Sequence, residues 1–247
     1  MNKSKKHLIS NVNNIIVVAS GKGGVGKSTF ATLLADNLSK EGYNVGLADL
    51  DIYGPSIHRM FNVKKAPEIY NKEFIPVISR NVQIMSIGLI VDEYSAIAWR
   101  GLMANKMVYQ ILSKSVWNNL DYLIIDTPPG TGDIHLNILQ NYHINSAIFV
   151  TTPQQIAKLD VIKAIDLYRK FDIPIAGIIS NMSYYCDQSG NKLDIFTGNS
   201  AEEISKKFNI PIILNIPITT EISNACDEGK NLSEIISISK ASIFDKI

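Results

Sequence analysis

The chain has 247 residues, 46% of them hydrophobic, with a net charge of +1 and two cysteines. That length supports a sizeable core, and the near-neutral balance gives no electrostatic case for nucleic acid or an anionic membrane as partner. No apolar run approaches a membrane span, and Cys186 and Cys226 are too few and too far apart for a disulfide framework.

The first residues, MNKSKKHLISNVNN, are basic and lack the apolar centre of a secretory signal. They read as a flexible tail over 1–14, and the expected compartment is the reducing cytosol. A strand follows over Ile15–Ser20, all but its last residue apolar. It runs into GKGGVGKS at Gly21–Ser28, the full G-x-x-x-x-G-K-[ST] phosphate loop, at the strand-to-helix junction where such a loop works. Gly21, Gly23, Gly24 and Gly26 let the backbone amides, with those of Lys22 and Val25, turn toward phosphate oxygens. The start of the next helix, with Ser28 and Thr29, adds further donors. Lys27 is expected exposed in the site, reaching the β- and γ-phosphates, and the Ser28 hydroxyl is expected on Mg²⁺. The ligand is thus ATP or GTP, and 15–247 reads as one P-loop domain. Lys22, inside the loop, is a second ammonium able to offset charge that develops in phosphoryl transfer.

Further helices are expected over Lys27–Glu41, Gly101–Trp117, Ile134–Gln140, Ile156–Phe171, Ala201–Phe208 and Ser233–Ile247. Further strands are expected over Val45–Asp49, Val82–Ile87, Tyr122–Asp126, Ala147–Thr152, Ile175–Met182 and Ile212–Ile216. Residues 63–80, with Pro67 and Pro76, read as surface loops. Strand alternating with helix implies an α/β fold: a mostly parallel twisted sheet with helices on both faces. Trp99, Tyr109 and Trp117 fall on a helical pattern and read as core. The four histidines have no metal-site spacing and read as surface or packing residues.

The strand at Val45 ends in Asp49-Leu-Asp51, on the ligand-binding edge of a parallel sheet. Asp51, further out, is the expected water-positioning residue. The apolar strand ending in Asp126 has the Walker B arrangement, holding Mg²⁺ directly or through water. The following Thr-Pro-Pro-Gly is a loop suited to sensing the γ-phosphate.

The motifs GKGGVGKST, LADLDIYGPSIHRMF, WRGLMANK, LDYLIIDTPPGTGDIHL, VTTPQQIAKLD and GIISNMSYY together resemble the Mrp/ApbC family of iron–sulfur cluster carrier ATPases. The phosphate loop with Lys22 resembles the deviant Walker A form of the wider MinD/ParA superfamily. The resemblance implies a homodimer that hydrolyses ATP and delivers clusters to client apoproteins. It also implies that Lys22 reaches across the dimer to the partner's nucleotide and that Asn181 helps recognise adenine. The family has a Cys-x-x-Cys soon after NMSYY, so that two subunits supply four thiolates to a [4Fe–4S] cluster. Here Cys186 matches the first cysteine and Ser189 stands in place of the second. Cys226 reads as a small buried residue in a helix.

Two other readings stay open at this stage. One is a MinD/ParA-type positioning ATPase acting on membrane or DNA. It calls for a basic amphipathic C-terminal helix, whereas the two lysines of SEIISISKASIFDKI are balanced by Glu234 and Asp245. The other is an ATPase of the carrier family that has lost its cluster.

Overall fold

The structure is a computed structural model describing residues 6–91, 101–187 and 189–238. In chain order its strands are β1 (Val12–Ser20), β2 (Val45–Asp49), β3 (Glu68–Tyr70), β4 (Glu73–Ile75), β5 (Val77–Ser79), β6 (Val82–Ser86), β7 (Leu120–Asp126), β8 (Ser146–Thr151), β9 (Ile175–Cys186), β10 (Lys192–Leu193) and β11 (Ile212–Ile218). The helices are α1 (Lys27–Lys40), α2 (Ile57–Met60), α3 (Gly101–Ser113), α4 (Asp133–Asn141), α5 (Gln155–Lys170), α6 (Ser200–Phe208) and α7 (Thr220–Glu228).

The strands β9-β8-β1-β7-β2-β6 pair in that order and all run parallel. β5 closes one edge antiparallel, and β9 also pairs with β11 and, beyond it in the chain, with β10. The inner strands are apolar at nearly every position because both faces are covered. Alternate residues of β1 enter opposite layers: Ile15, Val17 and Ala19 pack in one core, Ile16 and Val18 in the other. α1 seals the second layer with Phe30, Leu33, Leu34 and Leu38, each at most 2% exposed. Burying a side chain of that size stabilises the fold by about 1.5–3 kcal/mol.

Several boundaries differ from the sequence expectation. The segment expected as a tail is fastened from His7 onward: its N–H donates to Asn141 O, Ile9 is buried and Val12–Asn14 belong to β1. α3 stops at Ser113 because the next residues turn to pair with Phe74, whose N–H donates to Lys114 O and whose carbonyl accepts from Val116 N. Trp117 is core but lies beyond that helix, Tyr109 is 45% exposed on it, and Trp99 lies outside the described residues. Residues 63–80 hold the β3–β4 hairpin, turned by Asn71 and Lys72 at φ 50 and 67, and the edge strand β5. The expected C-terminal helix starts as a 3-10 turn, Leu232–Glu234. An extended strap follows, in which Asn37 Nδ2 donates to Ile236 O and Ile238 N donates to Asn37 Oδ1. The remainder of that expected helix, 239–247, lies outside the described residues.

Candidate nucleotide site

Register brings the site together. Asp126 pairs with Val18 on one side and Asp49 on the other, and Asp49 pairs with Ser86. β7, β2 and β6 therefore end at one level, β1 runs two residues further, and the loops leaving all four share one edge of the sheet.

The phosphate loop leaves β1 and enters α1 through Gly26, whose φ of 83 is left-handed. A Cβ there would also sit 2.0 Å from Asn181 Nδ2, so only glycine fits without movement. The amides of Lys27, Ser28 and Thr29 form the first turn of a 14-residue helix and have no partner within it. They are the donors an anion would take. The Thr29 hydroxyl faces elsewhere, 3.9 Å from Cys226 Sγ on α7.

Lys27 is not exposed as the sequence suggested: it is 6% accessible. Its Nζ lies 2.7 Å from Asp126 Oδ1 and 3.7 Å from Asp51 Oδ2. The Ser28 hydroxyl donates to the other Asp126 oxygen at 2.5 Å. Burial alone depresses the Lys27 pKa, but the carboxylates around it, Asp126 first, outweigh that and hold it above its ordinary value. Burial pushes the Asp126 carboxyl up, against the pull of Lys27 and Ser28. Asp49 is raised by burial and by the charge of Asp126.

Asp49, which ends β2, and Asp51, two residues beyond it, have different tasks. Asp49 is fully buried and accepts from Asp51 N, Ser56 N, Ile57 N and the Ser86 hydroxyl at 2.9–3.2 Å. It pins the loop that carries Asp51. Asp51 is partly open to solvent and accepts from Tyr53 N, so one oxygen stays directed toward Lys27.

Three carboxylates thus surround one ammonium, an excess of negative charge that suits a divalent cation. Ser28 and Asp126 are hard oxygen donors of the kind Mg²⁺ takes. No group of three or more His, Cys, Asp or Glu residues that could hold a metal exists among the described residues. Mg²⁺ here would draw its other ligands from phosphate and water, its usual habit.

The remaining expected residues fall around this centre or apart from it. Lys22 is half-buried, its carbonyl accepting from Ser20 Oγ, and no carboxylate pairs with it among the described residues. Asn181 is 6% exposed and its Nδ2 donates to Val25 O at 2.8 Å, which ties β9 to the phosphate loop. Cys186 is a free, exposed thiol at the end of β9, paired with Lys192 of β10, and Ser189 is exposed in the loop between them. Cys226 is half-buried on α7, with its pKa raised by burial.

Two histidines carry more than the sequence suggested. His58 Nδ1 sits 3.3 Å from Ser86 Oγ, the donor to Asp49. His135 is buried between Pro128 O and the Tyr168 hydroxyl. Neither lies at a recognisable motif spacing, so only the tertiary contacts disclose them.

Fold and site together are those of a P-loop nucleoside triphosphatase. A family profile described as "ParA: NUBPL iron-transfer P-loop NTPase" matches residues 11–247, and the chain belongs to that family. It is 51% identical over 234 residues to an iron-sulfur cluster carrier protein of Rickettsia bellii, covering 95% of this chain and 70% of that one. It is 39% identical over 230 residues to the mouse iron-sulfur cluster transfer protein NUBPL, covering 92% and 72%. Its structure resembles that of a nucleotide-binding protein from Archaeoglobus fulgidus in complex with ADP. The TM-score there is 0.80 and the identity 33%, covering 92% of this chain and 90% of that one. No described helix is long and apolar enough to cross a membrane.

Proposed function

We propose that this chain hydrolyses ATP with Mg²⁺ and, as a homodimer in the cytosol, carries an iron–sulfur cluster to client apoproteins. The observation that carries the reading is the buried centre in which Lys27 and Ser28 both contact Asp126 beneath the phosphate loop, in a chain of the iron-transfer family. The names of the Rickettsia and mouse relatives supply the cargo.

In this reading the loop amides hold the phosphates, and Lys27 leaves Asp126 for the β- and γ-phosphate oxygens. Asp51 orients a water for attack on the γ-phosphorus. The P–O bond to the bridging oxygen breaks, ADP departs with the electron pair, and the water's proton ends on phosphate. Ser28 and Asp126 would hold Mg²⁺, whose chemistry there is to spread charge on the phosphate oxygens. Lys22 of each subunit serves the partner's nucleotide. Asn181 spends one N–H on Val25 and keeps an N–H and its carbonyl oxygen for the adenine edge.

The cargo would sit between two Cys186 thiolates, one from each subunit. Two thiolates hold a cluster less firmly than four, and a serine hydroxyl at 189 is a harder, weaker ligand for iron. Anaerobic reconstitution with iron and sulfide, followed by metal counting and chelator challenge, tests this. Wild type should hold a labile cluster, Cys186→Ala should hold none, and Ser189→Cys should hold it longer. Equal iron and sulfide on Cys186→Ala and wild type would contradict the cargo site. Ser189 also favours a second reading: if wild type takes up no cluster where Ser189→Cys does, the chain is an ATPase of the family without its cargo.

A further inference from the structure

The loop after Asp126 is short of donors, because Pro128 and Pro129 have no N–H. Its backbone is held at three points, and the Thr127 hydroxyl adds a fourth bond, to Val18 O. Thr127 N and Gly130 N donate to Val18 O and Ser20 O at the end of β1, and Pro128 O is taken by His135 Nε2 at 2.8 Å. Pro129 lies against the phosphate loop: a Cβ on Gly23 would be 3.8 Å from its Cγ. The loop therefore lies beside the place where a γ-phosphate arrives.

A carbonyl only accepts, so His135 carries its hydrogen on Nε2 and offers Nδ1 as a lone pair. The Tyr168 hydroxyl, 2.9 Å from Nδ1, must donate to it. His135 is 1% exposed and Tyr168 fully buried, so both contacts are shielded from bulk solvent. Burial holds His135 neutral, with its pKa lowered to about 4.

Tyr168 belongs to α5, and two turns earlier that helix supports the phosphate loop itself. A Cβ on Gly21 would lie 2.3 Å from Val161 N. Ala157, Val161, Ala164, Ile165 and Tyr168 form the buried face of α5. Its first turns also carry Ile156 and Leu159, 71% and 67% exposed. Helix α5 thus packs on the phosphate loop at Val161 and meets the loop after Asp126 at Tyr168, whose hydroxyl contacts His135 Nδ1 and also interacts directly with the Thr127 side chain.

We propose that His135 and Tyr168 are positioning residues that couple the loop at Thr127–Gly130 to α5, so that helix α5 responds to the γ-phosphate through the chain Pro128 O, His135, Tyr168. This rests on the nucleotide reading above. Neither residue touches the nucleotide; both act through the loop. The coupling has two discrete states, bond made and bond broken, which a packed interior transmits without gradual deformation.

Hydrogen exchange of 127–136 and of 155–170, measured with Mg²⁺–ADP and with Mg²⁺ and a non-hydrolysable ATP analogue, tests this in the full chain. In wild type the analogue should slow exchange in both segments relative to ADP, by roughly fivefold in α5. His135→Leu should keep the response of the loop and lose that of α5. His135→Gln, which retains a donor for Pro128 and an acceptor for Tyr168, should restore it, a rescue that loss of packing alone would not give. Tyr168→Phe should lose it and serves as the decisive variant where His135→Leu does not fold. An α5 that responds fully in Tyr168→Phe or His135→Leu, or that fails to distinguish the two nucleotides in wild type, overturns the coupling. Absence of any ADP-induced rise in melting temperature overturns the nucleotide site and the coupling with it; a normal rise with no α5 response overturns the coupling alone.

Discussion

The Lys27 ammonium lies 2.7 Å from a carboxylate oxygen of Asp126, and both groups are buried. The lysine expected to meet phosphate is thus paired with the residue expected to meet Mg²⁺. Removing the ammonium leaves the carboxylates of Asp126, Asp51 and Asp49 without the cation they share. Lys27→Ala should therefore lower stability at pH 7 by about 3 kcal/mol, as expected for half of a buried pair. The loss should shrink as pH falls and the raised carboxyls protonate. Urea unfolding of mutant and wild type at pH 7.5 and 5 checks both statements.

Asp49 and Asp51 should separate cleanly under mutation. Asp51→Asn keeps shape and should slow phosphate release about 100-fold with nucleotide affinity little changed. Asp49→Asn puts an amide against four donors and should cost about 1–3 kcal/mol of stability. Turnover assays and unfolding curves on both variants decide it. A stable, inactive Asp49→Asn beside an active Asp51→Asn would reverse the assignment.

Gly26 faces two constraints at once, a φ of 83 and the Asn181 amide. Gly26→Ala should destabilise by about 2 kcal/mol, roughly half of it backbone strain. Adding Asn181→Ala relieves the clash and leaves the strain, so the double variant should melt between Gly26→Ala and Asn181→Ala. If Gly26→Ala melts with wild type, the loop does not keep this conformation in solution.

His135 gives the stability a pH slope. Its folded pKa, lowered to about 4 by burial, lies below the unfolded value near 6.5. Between these values the unfolded chain binds more protons, so this contribution is complete above pH 6.5 and is lost as pH falls toward 4. The size is about 3 kcal/mol. His135→Gln should flatten the wild-type slope over that window in unfolding curves taken at half-unit steps. An unchanged slope would show that the ring is not buried neutral.

The sequence discloses the nucleotide centre well because its parts sit at the ends of apolar strands, where composition alone marks the boundary. Asp49 and Asp126 are readable as strand ends, and register then sets them side by side. What stayed hidden depends on partners far along the chain. Asn181 meets Val25 across 156 positions, and His135 meets Tyr168 on another helix. Lys27 reads as exposed because a phosphate-loop lysine is judged by its ligand, whereas the carboxylate that encloses it, Asp126, lies 99 positions along the chain. α7 is legible only as the surroundings of Cys226, because TEISNACDE buries Ala225 alone, with Ile222 and Cys226 half-buried beside it. The β3–β4 hairpin escaped because its strands are three residues each and mostly exposed, with an Asn-Lys turn in place of the commoner Asn-Gly.

The central claim is that the Lys27, Ser28 and Asp126 centre is the nucleotide site. Titration calorimetry of Mg²⁺–ADP into wild type and Lys27→Ala at pH 7, with circular dichroism confirming that both are folded, tests it most directly. Wild type should bind one nucleotide per chain, and Lys27→Ala should bind at least about 100-fold more weakly, equivalent to some 2.7 kcal/mol. A folded Lys27→Ala that binds Mg²⁺–ADP as tightly as wild type would contradict the account.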